Sequence, residues 1–123
     1  MSRTKKRFSR EEWRYVRKRF RDCRAEAKRR GLAFDLTLEE IEFPRRCPAL
    51  GVHLSYLPPQ TRGKKRPEVF SFERLDNDFG YVPGNVVIVS HKANSLKSDL
   101  SAEQLLRAGE FFTRHVQRFH HKE

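Results

Sequence analysis

The stretch SFERLDNDFGYVPGNVVIVSHKANSLK, residues 71–97, decides how this chain folds. Its left end closes an apolar run at residues 69–74 that alternates as a strand, with Phe70 and Phe72 on one face. Residues 75–84 collect turn formers: Asp76, Asn77, Asp78, Gly80, Pro83 and Gly84. The apolar run at 86–89 then predicts a second strand, buried on both sides. A short helix over residues 91–96 carries His91 and Asn94, with Lys97 one helical turn beyond Asn94. Strand, loop, strand and helix in that order bring Glu73, Asn85 and Asn94 together. Two hard oxygen donors and a nearby cation make a place for a divalent metal and a phosphate.

Upstream, Ser9-Arg10-Glu11-Glu12 is a capping box, with Phe8 and Trp13 at hydrophobic-staple spacing. Trp13, Val16, Phe20, Cys23 and Ala27 recur at steps of three and four, so residues 10–30 read as one amphipathic helix ended by Gly31. Residues 1–8 read as a flexible basic arm. Thr37 and Glu40 form a second capping box, expected to open a helix of one or two turns that stops before Pro44. Residues 57–68 are a loop by composition. Downstream, Ser101 and Gln104 form a third box, with Leu100 and Leu105 as its staple. The helix it opens, residues 102–119, is expected to bury a stripe of Leu105, Gly109, Phe112, Val116 and Phe119 against the core.

Length makes the chain one domain, residues 9–123, with a modest core at 37% apolar and 35% charged residues. No apolar run is long enough to span a bilayer, and MSRTKKRFSR lacks the apolar region of a signal peptide. A membrane partner is therefore not expected, and cytoplasmic residence is. The net charge of +11 is concentrated: residues 1–30 hold 14 of the 27 Lys and Arg but four of the 16 Asp and Glu. So few acids cannot neutralise the N-terminal helix through i,i+4 pairs. Arg14, Arg17, Lys18, Arg21 and Arg24 become candidate phosphate contacts, as do Arg62, Lys64, Lys65 and Arg66 in the loop before the first strand. DNA is the expected partner, with RNA an alternative.

The central stretch resembles the ββα-metal core of HNH (His-Me finger) endonucleases in their small phage-type form. That family has Asp-His at the end of its first strand, Asn opening the second and Asn or His on the following helix. Here the matching residues are Glu73-Arg74, Asn85 and Asn94, and the two Asn lie nine residues apart, as is usual in the family. Residues 34–51, FDLTLEEIEFPRRCPALG, resemble the segment that precedes this core. In all, the resemblance covers about residues 32–108. The family's general-base His is Arg74 here, and Glu73-Arg74-Leu75-Asp76 is close to the Asp-Arg-Ile-Asp of a phage subgroup.

The resemblance implies an α+β fold: a ββα core over about residues 69–97, flanked by the basic N-terminal helix and the C-terminal helix. It implies a metal-dependent endonuclease that nicks or cuts DNA, working in the host cytoplasm if the chain is phage-encoded. Glu73 and Asn94 would hold one Mg²⁺ or Mn²⁺, Asn85 would orient the base loop, and Lys97 would meet phosphate. A guanidinium stays protonated in proteins, so Arg74 would clamp phosphate rather than serve as base. His91, Asp76 or metal-bound hydroxide remain as activators of water. Phosphate contacts carry little sequence information, so weak specificity is expected. The alternative is a catalytically degenerate HNH-fold protein that binds nucleic acid without cleaving it. Many HNH proteins carry zinc-knuckle cysteines, but the matching positions here are Cys47, Leu50, Ser90 and Ala93. One cysteine in four makes no tetrahedral site, so no structural zinc is expected.

Overall fold

The N-terminal helix α1 runs Arg10–Arg29 because both of its ends are closed by its own sequence. At the start, Ser9 Oγ accepts the Glu12 N–H at 3.1 Å and the Glu12 carboxylate accepts the Ser9 N–H at 2.8 Å. At the end, Gly31 takes φ +70°, and the Leu32 N–H reaches the Ala27 carbonyl at 2.8 Å. Val16, Phe20 and Ala27 are buried, while Trp13 and Cys23 are half-buried on the same stripe. The computed structural model describes residues 7–59 and 66–121, so most of the basic arm and the loop cations Arg62, Lys64 and Lys65 lie outside the described residues. Phe8 is no part of a free arm. It stacks on Trp13 at 6.3 Å and meets the rings of Phe43 and Tyr56.

The second box opens only a single 3-10 turn, Leu38–Glu40. The Glu40 carboxylate does accept from the Thr37 N–H and hydroxyl, at 2.9 and 3.0 Å. The turn stops there because Ile41 and Phe43 are both buried with Glu42 exposed between them, an alternation that only extended chain provides. Residues 47–52 then form a tight turn, with the Cys47 N–H on the Val52 carbonyl and the Gly51 N–H on the Cys47 carbonyl.

Strands β1 (Phe70–Arg74) and β2 (Val86–Ser90) pair antiparallel, in register from Phe70 opposite Ser90 to Arg74 opposite Val86. Helix α2 (His91–Lys97) follows with no linker. Ser90 ends the strand and also caps the helix, its hydroxyl accepting the Ala93 N–H at 3.2 Å. A two-stranded sheet is marginal alone, so both faces need cover. On one face Phe70, Phe72 and Ile88 pack with Val16 and Phe20 of α1 and with Ile41, Phe43 and Tyr56. On the other, Val87 and Val89 meet Ala93 of α2 and the buried Cys47. The architecture is α+β: a small antiparallel sheet between helices.

Tyr56 sits in the aromatic cluster and donates its hydroxyl hydrogen to the Pro44 carbonyl. Burial pushes its phenol well above the usual 10, with Arg7 opposing and Glu12 reinforcing the shift. A raised acid favours the neutral form in the fold, so this contribution is full below pH 10 and fades as pH rises toward the folded value. The urea midpoint should fall steeply above pH 10. Tyr56→Phe should start about 1 kcal/mol lower, for the lost hydrogen bond, and fall less steeply. Equal slopes in the two proteins would contradict this account.

The C-terminal helix α3 (Ala102–His121) begins at the third box, Ser101 N–H to Gln104 Oε1 at 2.9 Å and Gln104 N–H to Ser101 Oγ at 3.1 Å. The expected stripe is present on it, but it is not buried. Leu105 is half-buried, and Phe112, Val116 and Phe119 are 64%, 52% and 62% exposed. The helix therefore does not cover the core as its sequence suggested. α1 and the aromatic cluster already occupy one face of the sheet, and α2 with Cys47 occupies the other.

Candidate active site

The loop between the strands is held from inside by one side chain. Asn85 Oδ1 accepts the Asp76 N–H at 2.9 Å, and its Nδ2 donates to the carbonyls of Asp76 and Gly80 at 3.1 and 2.9 Å. Arg74 Nη1 holds the same loop from the first strand, donating to the carbonyls of Asn77 and Phe79 at 2.9 and 3.0 Å. Its guanidinium lies 5.5 Å from the centroid of the Tyr81 ring. Tyr81 then ties the loop to the chain beyond α1: its N–H donates to the Ala33 carbonyl, and its own carbonyl accepts the Asp35 N–H, both at 2.8 Å. That approach needs Gly80, where a Cβ would come within 2.4 Å of the Ala33 carbonyl oxygen.

Glu73 points to the opposite face of β1 from Phe72, toward α2. It is buried, and Lys97 of α2 donates to its Oε1 at 3.2 Å and to Asn77 Oδ1 at 2.8 Å. Asn94, on the preceding turn of α2, donates through Nδ2 to Ser71 Oγ at 2.9 Å. This commits its nitrogen and leaves Oδ1 as the free ligand atom. Glu73, Arg74 and Asn94 line one hollow with Arg30, Asn77 and Tyr81. An adjoining hollow of about 500 Å³ shares Asn94, Phe72 and Tyr81 and is walled by Arg19, Asp22 and Arg29 of α1. The two adjoin as one cleft along the free edge of β1, with α1 on one side and Asn94 of α2 on the other.

The other candidates are placed differently. His91 lines a separate depression beside Tyr15, Arg19, Ser71 and Asn94, with its Nε2 3.4 Å from Ser95 Oγ. Asp76 is exposed in a third hollow, near Asp78 and Asp99, and its Oδ1 accepts the Asp78 N–H at 2.9 Å. Arg14, Arg17, Lys18, Arg21 and Arg24 are exposed along α1. Of these, Lys18 pairs with Asp22 at 3.1 Å, and Arg24 lies over the Phe20 ring. Arg66 pairs with Glu68 at 3.6 Å. The cations that wall the cleft, Arg19, Arg29 and Arg30, are not among those chosen from sequence. Composition could not separate them from their neighbours, because the docking angle of α1 decides which arginines face the sheet.

At the back of the cleft Cys23 and Tyr81 hydrogen-bond to each other, and burial pushes both groups up, so the thiol is held as a thiol. Cys47 behaves differently. Burial works to raise it, but hydrogen bonds from Ser90 and from the backbone of Leu50 and Ala49 hold it below its ordinary value. Among the described residues no group of three or more His, Cys, Asp or Glu is arranged for a metal ion. Glu73 with Asn94 offers a carboxylate and an amide oxygen on one cleft. That suits a single hard cation completed by water and phosphate, once Lys97 releases the carboxylate. No helix among the described residues is long and apolar enough to cross a membrane.

No family model matches the chain, and no solved structure does. It is similar to an uncharacterized 29.0 kDa protein in the dda-modA intergenic region of Enterobacteria phage T4, 29% identical over 114 residues. The match covers 90% of this chain and 43% of the T4 protein, so the chain spans less than half the length of the curated relative.

Proposed function

We propose that the chain is a divalent-metal-dependent endonuclease of the HNH type that nicks or cuts DNA, in a phage setting and so in the host cytoplasm. The observation that carries this reading is the site built on β1, β2 and α2. Asn85 holds the inter-strand loop by three hydrogen bonds, while Glu73 and Asn94 line one cleft on either side of it. These are the roles that the resemblance assigns to them. The convergence of Cys47 with Ser90, Ala93 and the Leu50 backbone supports it further, since these four positions match the zinc-knuckle positions of the family. Apolar packing around Cys47 takes the place of zinc in this reading.

A Mg²⁺ or Mn²⁺ ion at Glu73 and Asn94 would neutralise charge developing on the phosphate. Arg19, Arg29 and Arg30 of the cleft wall orient the strand, and the exposed arginines of α1 extend the phosphate track. Arg74 braces the loop with its guanidinium. His91 is the better-placed of the two candidate bases, because it shares a lining with Asn94, while Asp76 faces another hollow. Two observations favour a second reading, a binder that does not cleave. Lys97 already pairs with Glu73, and Nη1 of Arg74 is committed to loop carbonyls.

Supercoiled-plasmid cleavage with Mg²⁺, Mn²⁺ or EDTA separates the two. The nuclease reading expects metal-dependent nicking that drops by about 100-fold or more in Glu73→Ala and in Asn94→Ala, with plasmid binding retained. Tight, salt-sensitive plasmid binding without nicking under either metal would replace it with the second reading.

A further inference from the structure

The carboxylate of the proposed site already has a partner of its own. Lys97 Nζ lies 3.2 Å from Glu73 Oε1, and the two side chains are only 15% and 10% exposed. A second bond, to Asn77 Oδ1 at 2.8 Å, holds the same ammonium against the inter-strand loop. Water screens a pair this enclosed only weakly, and removing one member leaves the other as an uncompensated buried charge. Lys97 also holds the oxygen that a hard cation would use. An ammonium and a divalent cation on one carboxylate repel each other, so Lys97 must leave Glu73 before such an ion can share it.

The fold supplies a place for Lys97 to go. It is the basic residue of the last turn of α2, one turn beyond Asn94, and it carries a flexible four-carbon stem. Asn94 lines the same hollow as Glu73, so a phosphate entering that hollow arrives beside this end of α2. Two arrangements leave no charge stranded. In one, Lys97 pairs with Glu73. In the other, Lys97 pairs with phosphate while Glu73 takes the divalent ion. The mixed cases are poor: the ion alone strands the ammonium beside like charge, and phosphate alone strands the buried carboxylate. Ion and DNA therefore favour each other, and the coupling is reciprocal.

We propose that Lys97 is an exchangeable internal cation, held on Glu73 until DNA phosphate draws it away, so that the site takes its divalent ion tightly only with DNA bound. The inference rests on the metal-dependent reading of the site and concerns how that site is controlled.

Mn²⁺ binding to the full chain, followed by the electron paramagnetic resonance signal of the free ion, tests it. A short phosphorothioate duplex is the DNA probe, and Glu73→Gln with that duplex gives the background of ion held by DNA. Without DNA, Lys97→Met should bind Mn²⁺ at least about tenfold more tightly than the parent. The duplex should tighten the parent by a similar factor and leave Lys97→Met nearly unchanged. Arg30→Met removes a cation from the same hollow but not from Glu73, and should bind Mn²⁺ as the parent does. Lys97→Met should also melt below the parent, with Mn²⁺ alone restoring most of the loss. Should Lys97→Met bind no more tightly than the parent, or Arg30→Met match it, the exchange is overturned while the metal site stands. A parent affinity that the duplex leaves unchanged overturns it equally, whether or not Lys97→Met folds. No Mn²⁺ binding above the Glu73→Gln background in any of these proteins overturns the metal-dependent reading itself, and this inference with it.

Discussion

Phe70→Ala is expected to lower the stability of the domain by about 3–5 kcal/mol, read as a large fall in the urea midpoint. Phe70 is 3% exposed and sits where the elements converge. Its ring lies 5.0 Å from Tyr56, 5.5 Å from Phe72, 5.9 Å from Tyr15 and 6.4 Å from Phe43. Truncation removes the transfer free energy of the ring and leaves a cavity whose walls are other rings, which cannot collapse without losing their edge-to-face contacts. A domain of this size has about 5–15 kcal/mol in total, so the variant should be near its unfolding threshold at room temperature. Phe79→Ala is the matching control: that ring is 61% exposed, and its loss should cost no more than about 0.5 kcal/mol. Comparable midpoints for the two variants would show that the aromatic cluster is not what holds the sheet.

Asn85→Asp changes one heavy atom, the amide nitrogen to oxygen, and is expected to cost about 2–3 kcal/mol. The carboxylate keeps the bond from the Asp76 N–H but loses both donors. It then sets a negative oxygen against the carbonyls of Asp76 and Gly80, beside the Asp76 side chain. Thermal unfolding should show the loss at pH 7. The loss should shrink as pH falls through the Asp range, since the protonated acid is neutral and regains one donor. Under the proposed function the nicking rate should also fall by about 100-fold, because the loop that frames Glu73 and Arg74 shifts. A variant as stable as the parent at pH 7 would mean that the loop is held by Arg74 and Tyr81 alone.

The local devices could be read directly. The boxes at Ser9 and Ser101 and the Glu40 bond to Thr37 each close within three residues, so the side chains that make them are neighbours in any conformation. The strands could be read too, because alternation at 70 and 72 and the run at 86–89 assign faces without knowledge of what lies opposite. The part played by Asn85 came from the resemblance together with the turn-rich loop in front of it. Which side chain pairs with which across a long separation was not readable. Lys97 was expected at a phosphate and instead pairs with Glu73, 24 positions away, and Cys47 meets Ser90 across 43.

The sequence by itself determined where the two long helices and the two paired strands lie, which faces are apolar, and that positive charge is gathered at the N-terminus. Those properties rest on spacing, capping and composition, which act over a few residues. Only the tertiary structure decided which arginines of α1 wall the cleft, that a single 3-10 turn precedes the extended run to Phe43, and that α3 keeps its stripe exposed. The last has a simple cause. An apolar stripe requires burial, but a two-stranded sheet has two faces, and α1 and α2 had already taken them.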